Sequence, residues 1–178
     1  MTPDLTIPRI EVRRFMRVDP ATGLLPVGMP WSDTVQLVLR DGTVITPSAC
    51  SLPTVQVGST SPPVIEPGWY PEAMCVGIHR GRKAIVNQGR LNLAARRHDG
   101  TTFGGNRLVG DYRGLNIHDP IGEHSAGCIL VPEDIMRAMV ALLERRDERI
   151  GPIHPVNLTP MIGLWVRDMT AERMECAA

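Results

Sequence analysis

The 178-residue chain is nearly without lysine: of its 19 basic residues only Lys83 is lysine, and the rest are arginine. Lys83 stands in Arg82-Lys83-Ala84 with no glycine-rich loop before it, which argues against a phosphate-loop ATPase and a Schiff-base enzyme. Net charge is missing too, since 19 acidic residues balance the 19 basic ones. A general nucleic-acid or membrane-surface binder needs a basic excess, so neither is expected. No apolar run reaches the roughly 18 residues of a membrane span. The first residues, Met1-Thr2-Pro3-Asp4, do not form a basic-then-apolar leader. Work outside the cytoplasm would therefore require another delivery route. Cys50, Cys75, Cys128 and Cys176 make no CxxC pair and no dense framework, so neither a zinc ribbon nor a disulfide scaffold is indicated.

What is present is a loop-rich globular profile. Hydrophobic residues are 43% and charged residues 21%, with 17 glycines and 16 prolines. A chain of this length buries about 70% of its unfolded surface and folds without a metal or disulfide staple, so 1–178 reads as a single domain. Strands are predicted at Ile7–Val18, Val35–Leu39, Thr43–Thr46, Met74–Ile78, Lys83–Val86, Leu91–Ala95, Gly114–His118 and Met161–Val166. Asp41-Gly42 is a hairpin signal between the second and third. Residues 47–63, rich in Ser, Pro, Thr and Gly, read as a long surface loop. One amphipathic helix is predicted from Glu133 to Arg149, with Ile135, Met136, Met139, Leu142 and Leu143 on one face. Glu133 and Asp134 suit its first turn, and Arg145, Arg146 and Arg149 its last. Many short strands with one helix predict a mainly β fold, a sandwich or partial barrel.

The segment from Asn116 to Leu130 carries the chemistry. A thiol is only slightly ionised at neutral pH, so a cysteine nucleophile needs an imidazole to take its proton and a third group to orient that imidazole. His118 ends a strand and can reach Cys128 if the intervening loop folds back. Asp119 beside it is a candidate orienting group. The N–H groups of Gly127 and Cys128 can aim at an oxyanion, and Ser125 can support the turn. A thiol paired in this way is expected to react with alkylating agents at about pH 6 to 7.

The pattern His118-x6-Ser125-Ala126-Gly127-Cys128-Ile129 resembles the active-site signature of the L,D-transpeptidase catalytic domain. Within that superfamily it is similar to a short-spaced branch found in phage and prophage proteins and type VI secretion effectors. The likeness is strongest over these residues and weaker at Pro67–Tyr70, at Gly114–His118 and in the helix after the cysteine. The resemblance implies an L,D-transpeptidase-like β-sandwich or partial barrel, with 1–60 as N-terminal strands and loop and 64–168 as catalytic core. It implies a cysteine enzyme that attacks a peptidoglycan stem peptide before a D-amino acid and forms a thioester. The acyl group then passes to an amine or to water. By position, Cys128 is the nucleophile and His118 the base, with Asp119 beside it; Gly127 and Cys128 supply the oxyanion donors, and Ser125, Ala126 and His124 line the loop. The sequence departs from the family pattern at Ala126, Leu130 and Asp119, where the family has basic, Arg or Asn, and small residues. Arg107 or Arg113 is the candidate for the positive charge towards a peptide carboxylate. A phage tail or secretion machine is the implied partner, and the cell wall the implied place of action after synthesis in the cytoplasm.

Plainer readings stand beside these. Cys50, Cys75 and Cys176 read as inert buried thiols, and His79, His98 and His154 as surface or satisfied histidines. The Arg-Arg pairs at 13–14, 96–97 and 145–146 read as solvated faces. His118, Asp119, His124 and Cys128 are all metal-ligand types, but their spacing fits no usual zinc pattern, so no metal and no cofactor is expected. Two rivals to the wall enzyme remain: a non-catalytic phage or secretion component that keeps the fold, and a cysteine endopeptidase that cuts protein.

Overall fold

β1 (Arg9–Arg14) shows why this chain makes sheet: β-branched Ile10 and Val12 alternate with polar side chains, and both are fully buried. The computed structural model describes residues 2–14, 33–50, 64–65, 67–87, 95–96, 102–103, 116–119, 128–145 and 161–169, with 33, 46–50, 64, 95–96 and 102–103 described by backbone alone. The further strands are β2 (Asp33–Val38), β3 (Val44–Cys50), β4 (Val64–Ile65), β5 (Gly68–His79), β6 (Arg82–Asn87), β7 (Ala95–Arg96), β8 (Thr102–Phe103), β9 (Ile117–His118), β10 (Ile129–Leu130) and β11 (Ile162–Asp168). One helix, α1 (Glu133–Leu143), is found among the described residues. The fold is mainly β, as the residue pattern predicts.

Eight strands form one mixed sheet in the order β10-β9-β6-β5-β11-β1-β2-β3, and β4-β7-β8 form a second, small sheet. β1 pairs with β11 and β9 with β10 in parallel; β6 runs antiparallel to both β5 and β9. Helix α1 touches both β6 and β3. Four strands separate those two in the sheet order, roughly 24 Å in a flat sheet, whereas an 11-residue helix is only about 16 Å long. The large sheet must therefore curl around the helix. Met136, Met139, Val140 and Leu143 of α1 pack into one core with Ile10, Leu37, Met74, Ile85, Ile117 and Leu164. Each such side chain contributes on the order of 2 kcal/mol of burial.

Several boundaries differ from the sequence expectation, with local reasons. β5 begins at Gly68, well before Met74, and continues through Pro71 by a bulge. Its register against β11 shifts between Ile162 and Leu164, and Glu72 takes a left-handed φ of 51°. Proline cannot donate to a ladder, and a bulge accommodates it. Pro47 stands in the same relation to β3, which runs on to Cys50 across a register shift opposite Val35–Leu37. Residues 47–50 are thus strand; 51–63 lie outside the described residues. β1 spans Arg9–Arg14 within the expected 7–18, and 15–18 likewise lie outside them. The Asp41-Gly42 turn forms as expected, with Gly42 at φ 83° and the Leu39 amide bonded to the Thr43 carbonyl at 2.8 Å.

α1 ends at Leu143, and Glu144 caps it by donating its amide to the Val140 carbonyl at 2.9 Å. Arg145 therefore follows the helix rather than closing it, and 146–149 lie outside the described residues. The Arg13–Arg14 pair is not a solvated face. Arg14 is buried, and its guanidinium donates to the Ile65 carbonyl. Arg13 and Arg167 flank the buried carboxylate of Glu11 at 3.0 and 2.8 Å.

Candidate functional site

The edge of the large sheet gathers the chemistry. Cys128 immediately precedes β10, and the parallel pairing of β10 with β9 places Leu130 opposite His118. The amides of Ile129 and Val131 donate to the carbonyls of Asn116 and His118 at 2.9 and 3.0 Å. This pairing, rather than sequence adjacency, brings two residues ten positions apart into one site. β5 and β6 meet at Arg80-Gly81, where φ is 50° and 80°. Left-handed conformations at both central positions make this a tight two-residue hairpin turn, which favours glycine at the second. The turn leaves His79 at the end of β5, paired with Arg82 and facing the histidine of β9.

The rings of His79 and His118 have centroids 4.7 Å apart and are tilted by 33°. One ring nitrogen of each and the Cys128 sulfur lie within 4.8 Å of one another. The Cys128 Sγ accepts the Asn116 backbone N–H at 3.4 Å. His118 Nδ1 lies 2.6 Å from the Asp119 carbonyl oxygen. A carbonyl only accepts, so Nδ1 carries a proton and the neutral ring keeps its lone pair on Nε2, as a base requires. The Asp119 carboxylate is turned away and paired with Arg82. Asp119 thus orients the imidazole through its backbone.

Asn116 sets the second ring. Its Oδ1 accepts the Asn87 amide at 3.1 Å, which leaves its Nδ2 facing His79 Nδ1 at 3.0 Å. An amide nitrogen only donates, so His79 Nδ1 accepts and Nε2 carries the proton.

Burial dominates the proton affinities. It pushes the His118 imidazole below its ordinary value, against the Asp119 carbonyl and carboxylate, which act in the opposite direction. His79 is lowered by burial, by His118 and by Arg80. Burial also pushes the Cys128 thiol up, outweighing the Asn116 N–H and the Arg80 charge. Thiol and imidazole are therefore both neutral at rest near pH 7, and the expected ready alkylation at pH 6 to 7 does not follow from this geometry.

His79, His118 and Cys128 offer three metal-ligand atoms, but their hydrogen bonds suit a metal only in part. A ligating imidazole donates its second N–H, and His118 does so to Asp119. His79 accepts instead, and reversing that bond requires the Asn116 amide to turn over and lose the Asn87 amide. An open groove of about 350 Å³ runs between β6 and α1, lined by Arg82, Lys83, Asp119, Glu133, Arg137 and Val140 among others; it meets the site through Asp119 and is not lined by His79, His118 or Cys128.

Of the residues singled out in the sequence, Cys128, His118 and Asp119 are brought together. Arg107, Arg113, His124, Ser125, Ala126 and Gly127 lie outside the described residues. His79 and Asn116 are additions to the residues singled out; His79, read as a surface or satisfied histidine, is half-buried and bonded to Asn116. Asn116 had a signal: it lies two residues before His118, the spacing that puts side chains on one face of a strand. His79 had none, because a turn and three strand pairings separate it from Cys128. Comparison of the chain with protein-family models, with curated proteins and with solved structures finds no match.

Proposed function

We propose that the chain is a cysteine acyl-transferase or peptidase of the L,D-transpeptidase type that acts on peptidoglycan stem peptides. The observation that carries this reading is the His118 ring, held by the Asp119 carbonyl with Nε2 as its free nitrogen, beside the Cys128 sulfur. His118 Nε2 takes the thiol proton as Cys128 Sγ bonds to the carbonyl carbon, and the carbonyl π pair moves onto oxygen. The intermediate collapses with cleavage of the C–N bond, and His118 returns its proton to the leaving amine. Water or a second amine then attacks the thioester and releases the thiol. The sequence signature from His118 to Cys128, the mainly β fold and a charged groove of both signs beside Asp119 support a peptide carrying both carboxylate and ammonium groups. The implied setting, action at the wall after delivery by a phage tail or secretion machine, belongs to the same proposal.

The test is incubation with purified disaccharide-tetrapeptides followed by mass spectrometry. Loss of the terminal D-Ala marks hydrolysis, and dimers or D-amino-acid exchange mark transfer; Cys128→Ala abolishes either. One observation favours a second reading, a non-catalytic phage or secretion-apparatus component that keeps the fold as a structural or binding module: burial pushes the Cys128 thiol up rather than down. Unchanged muropeptides with tight binding to them would select that reading.

A further inference from the structure

We propose that His79 is a catalytic residue that donates its Nε2–H to the oxygen of the reacting carbonyl as that oxygen becomes an oxyanion. The inference rests on the reading of Cys128 as a nucleophile and deepens it. Three observations carry it. First, the Asn87 amide holds Asn116 Oδ1, so Asn116 Nδ2 donates to His79 Nδ1 and the one proton of the neutral ring sits on Nε2. A ring in that tautomer has no lone pair at Nε2, so it is a donor there and not a second base. Second, a His79 ring nitrogen lies within 4.8 Å of the Cys128 sulfur. Nδ1 is taken by Asn116, so Nε2 is the nitrogen left to meet an oxyanion on the carbon bonded to that sulfur, where a working donor stands about 2.7–3.1 Å from the oxygen. Third, His79 faces His118 at 4.7 Å, which receives the thiol proton during the step. Burial and that neighbouring imidazolium keep His79 uncharged, so it stabilises the oxyanion without exchanging a proton.

The proton and electron balance follows from these roles. The thiol proton goes to His118, the sulfur pair forms the S–C bond, and the carbonyl π pair localises on oxygen. His79 keeps its proton throughout and only shares it in a hydrogen bond. Its loss should therefore slow reactions that pass through an oxyanion and leave other reactions of the same thiol untouched.

The test compares two reagents on the full chain. p-Nitrophenyl acetate acylates Cys128 through an oxyanion; iodoacetamide alkylates it by displacement at carbon without one. His79→Ala is expected to slow acylation on the order of 100-fold and to leave alkylation unchanged, with His79→Gln retaining part of the acylation through its amide N–H. Asn116→Asp is expected to slow acylation similarly with the ring intact, because a carboxylate accepts from Nδ1 and moves the proton off Nε2. Long-range ¹H–¹⁵N spectra of the wild-type protein, which need no variant to fold, should show the Nε2–H tautomer at His79. An Nδ1–H tautomer overturns the proposal, as does an equal loss, or no loss, in both reactions of folded His79→Ala. Acylation by the ester without turnover of muropeptides would remove the stem-peptide reading and leave the role of His79 standing.

Discussion

His118 Nδ1 donates to the backbone carbonyl of Asp119 at 2.6 Å, while the Asp119 carboxylate pairs with Arg82 on β6. The group that orients the candidate base is thus one that every residue type possesses. The carboxylate reaches His118 only as a nearby charge, and the residue is buried at 5% exposure.

Asp119→Asn should therefore be tolerated. It keeps the carbonyl and the shape and removes only the charge. The acylation rate of Cys128 is expected to fall by less than about tenfold, whereas His118→Ala should cost about 10²- to 10⁴-fold. Single-turnover kinetics of both variants check this. A loss in Asp119→Asn equal to that in His118→Ala would give the carboxylate, not the carbonyl, the orienting role.

The pH dependence has a definite sign. The base works as neutral imidazole, and burial places His118 below its ordinary value of 6.5. Activity should hold as pH falls through 6.5 and decline only below it. Burial raises the Cys128 thiol above its ordinary 9.0, so iodoacetamide labelling should climb through the alkaline range with a midpoint above that of a free cysteine. An acid limb above pH 6.5, or a labelling midpoint near neutrality, would mean that a thiolate–imidazolium pair exists at rest.

Glu11 makes the fold acid-sensitive. Its carboxylate is 2% exposed; burial alone would raise its proton affinity, but hydrogen bonds from Arg167 and Arg13 outweigh it and hold the pKa below the ordinary 4.5. A depressed carboxylate adds stability that is fully present above the unfolded value and disappears as pH falls through the folded one. Glu11→Gln should cost about 2 kcal/mol at pH 7, with the arginines partly solvated, and less at a pH below the ordinary carboxylate value of 4.5. Urea unfolding at the two pH values measures the difference, and equal losses at both would remove the charge argument.

Gly163 on β11 makes room for Trp69 on β5. A Cβ at that position would overlap Trp69 Cη2, and the indole is largely buried. Gly163→Ala should destabilise the protein by about 1–3 kcal/mol through overpacking and shift the tryptophan emission. Combining it with Trp69→Leu should recover part of the loss, because the ring that clashes is gone. No recovery in the double variant would locate the strain in the β11 backbone instead.

Local chemistry explains what was legible beforehand. The alternation at Ile10–Val12, the Asp41-Gly42 hairpin and the helical stripe Met136–Met139–Val140–Leu143 each depend on neighbours within a few residues, so their elements were readable. The breaks misled at Pro47 and Pro71, where proline reads as an end of strand but the sheet continues across a bulge. Such continuation depends on the partner strand, which no local window contains. The helix end at Leu143 misled for a related reason: the arginines beyond it suit a last turn electrostatically, but the chain leaves the helix first.

The same division holds for the site. The sequence by itself determined the mainly β class and pointed to His118 and Cys128 as a candidate pair, because a cysteine, a histidine and glycines at short spacing suit one chemistry; the parallel pairing of β9 with β10 is what brings the two together. Only the tertiary structure decided which proton each imidazole carries. That depends on a carbonyl one residue after His118, on an amide from β6 fixing Asn116, and on a hairpin turn that brings His79 across from another strand. Hydrogen-bond direction and burial are properties of atoms assembled from distant segments, and they decide whether a thiol and an imidazole rest charged or neutral.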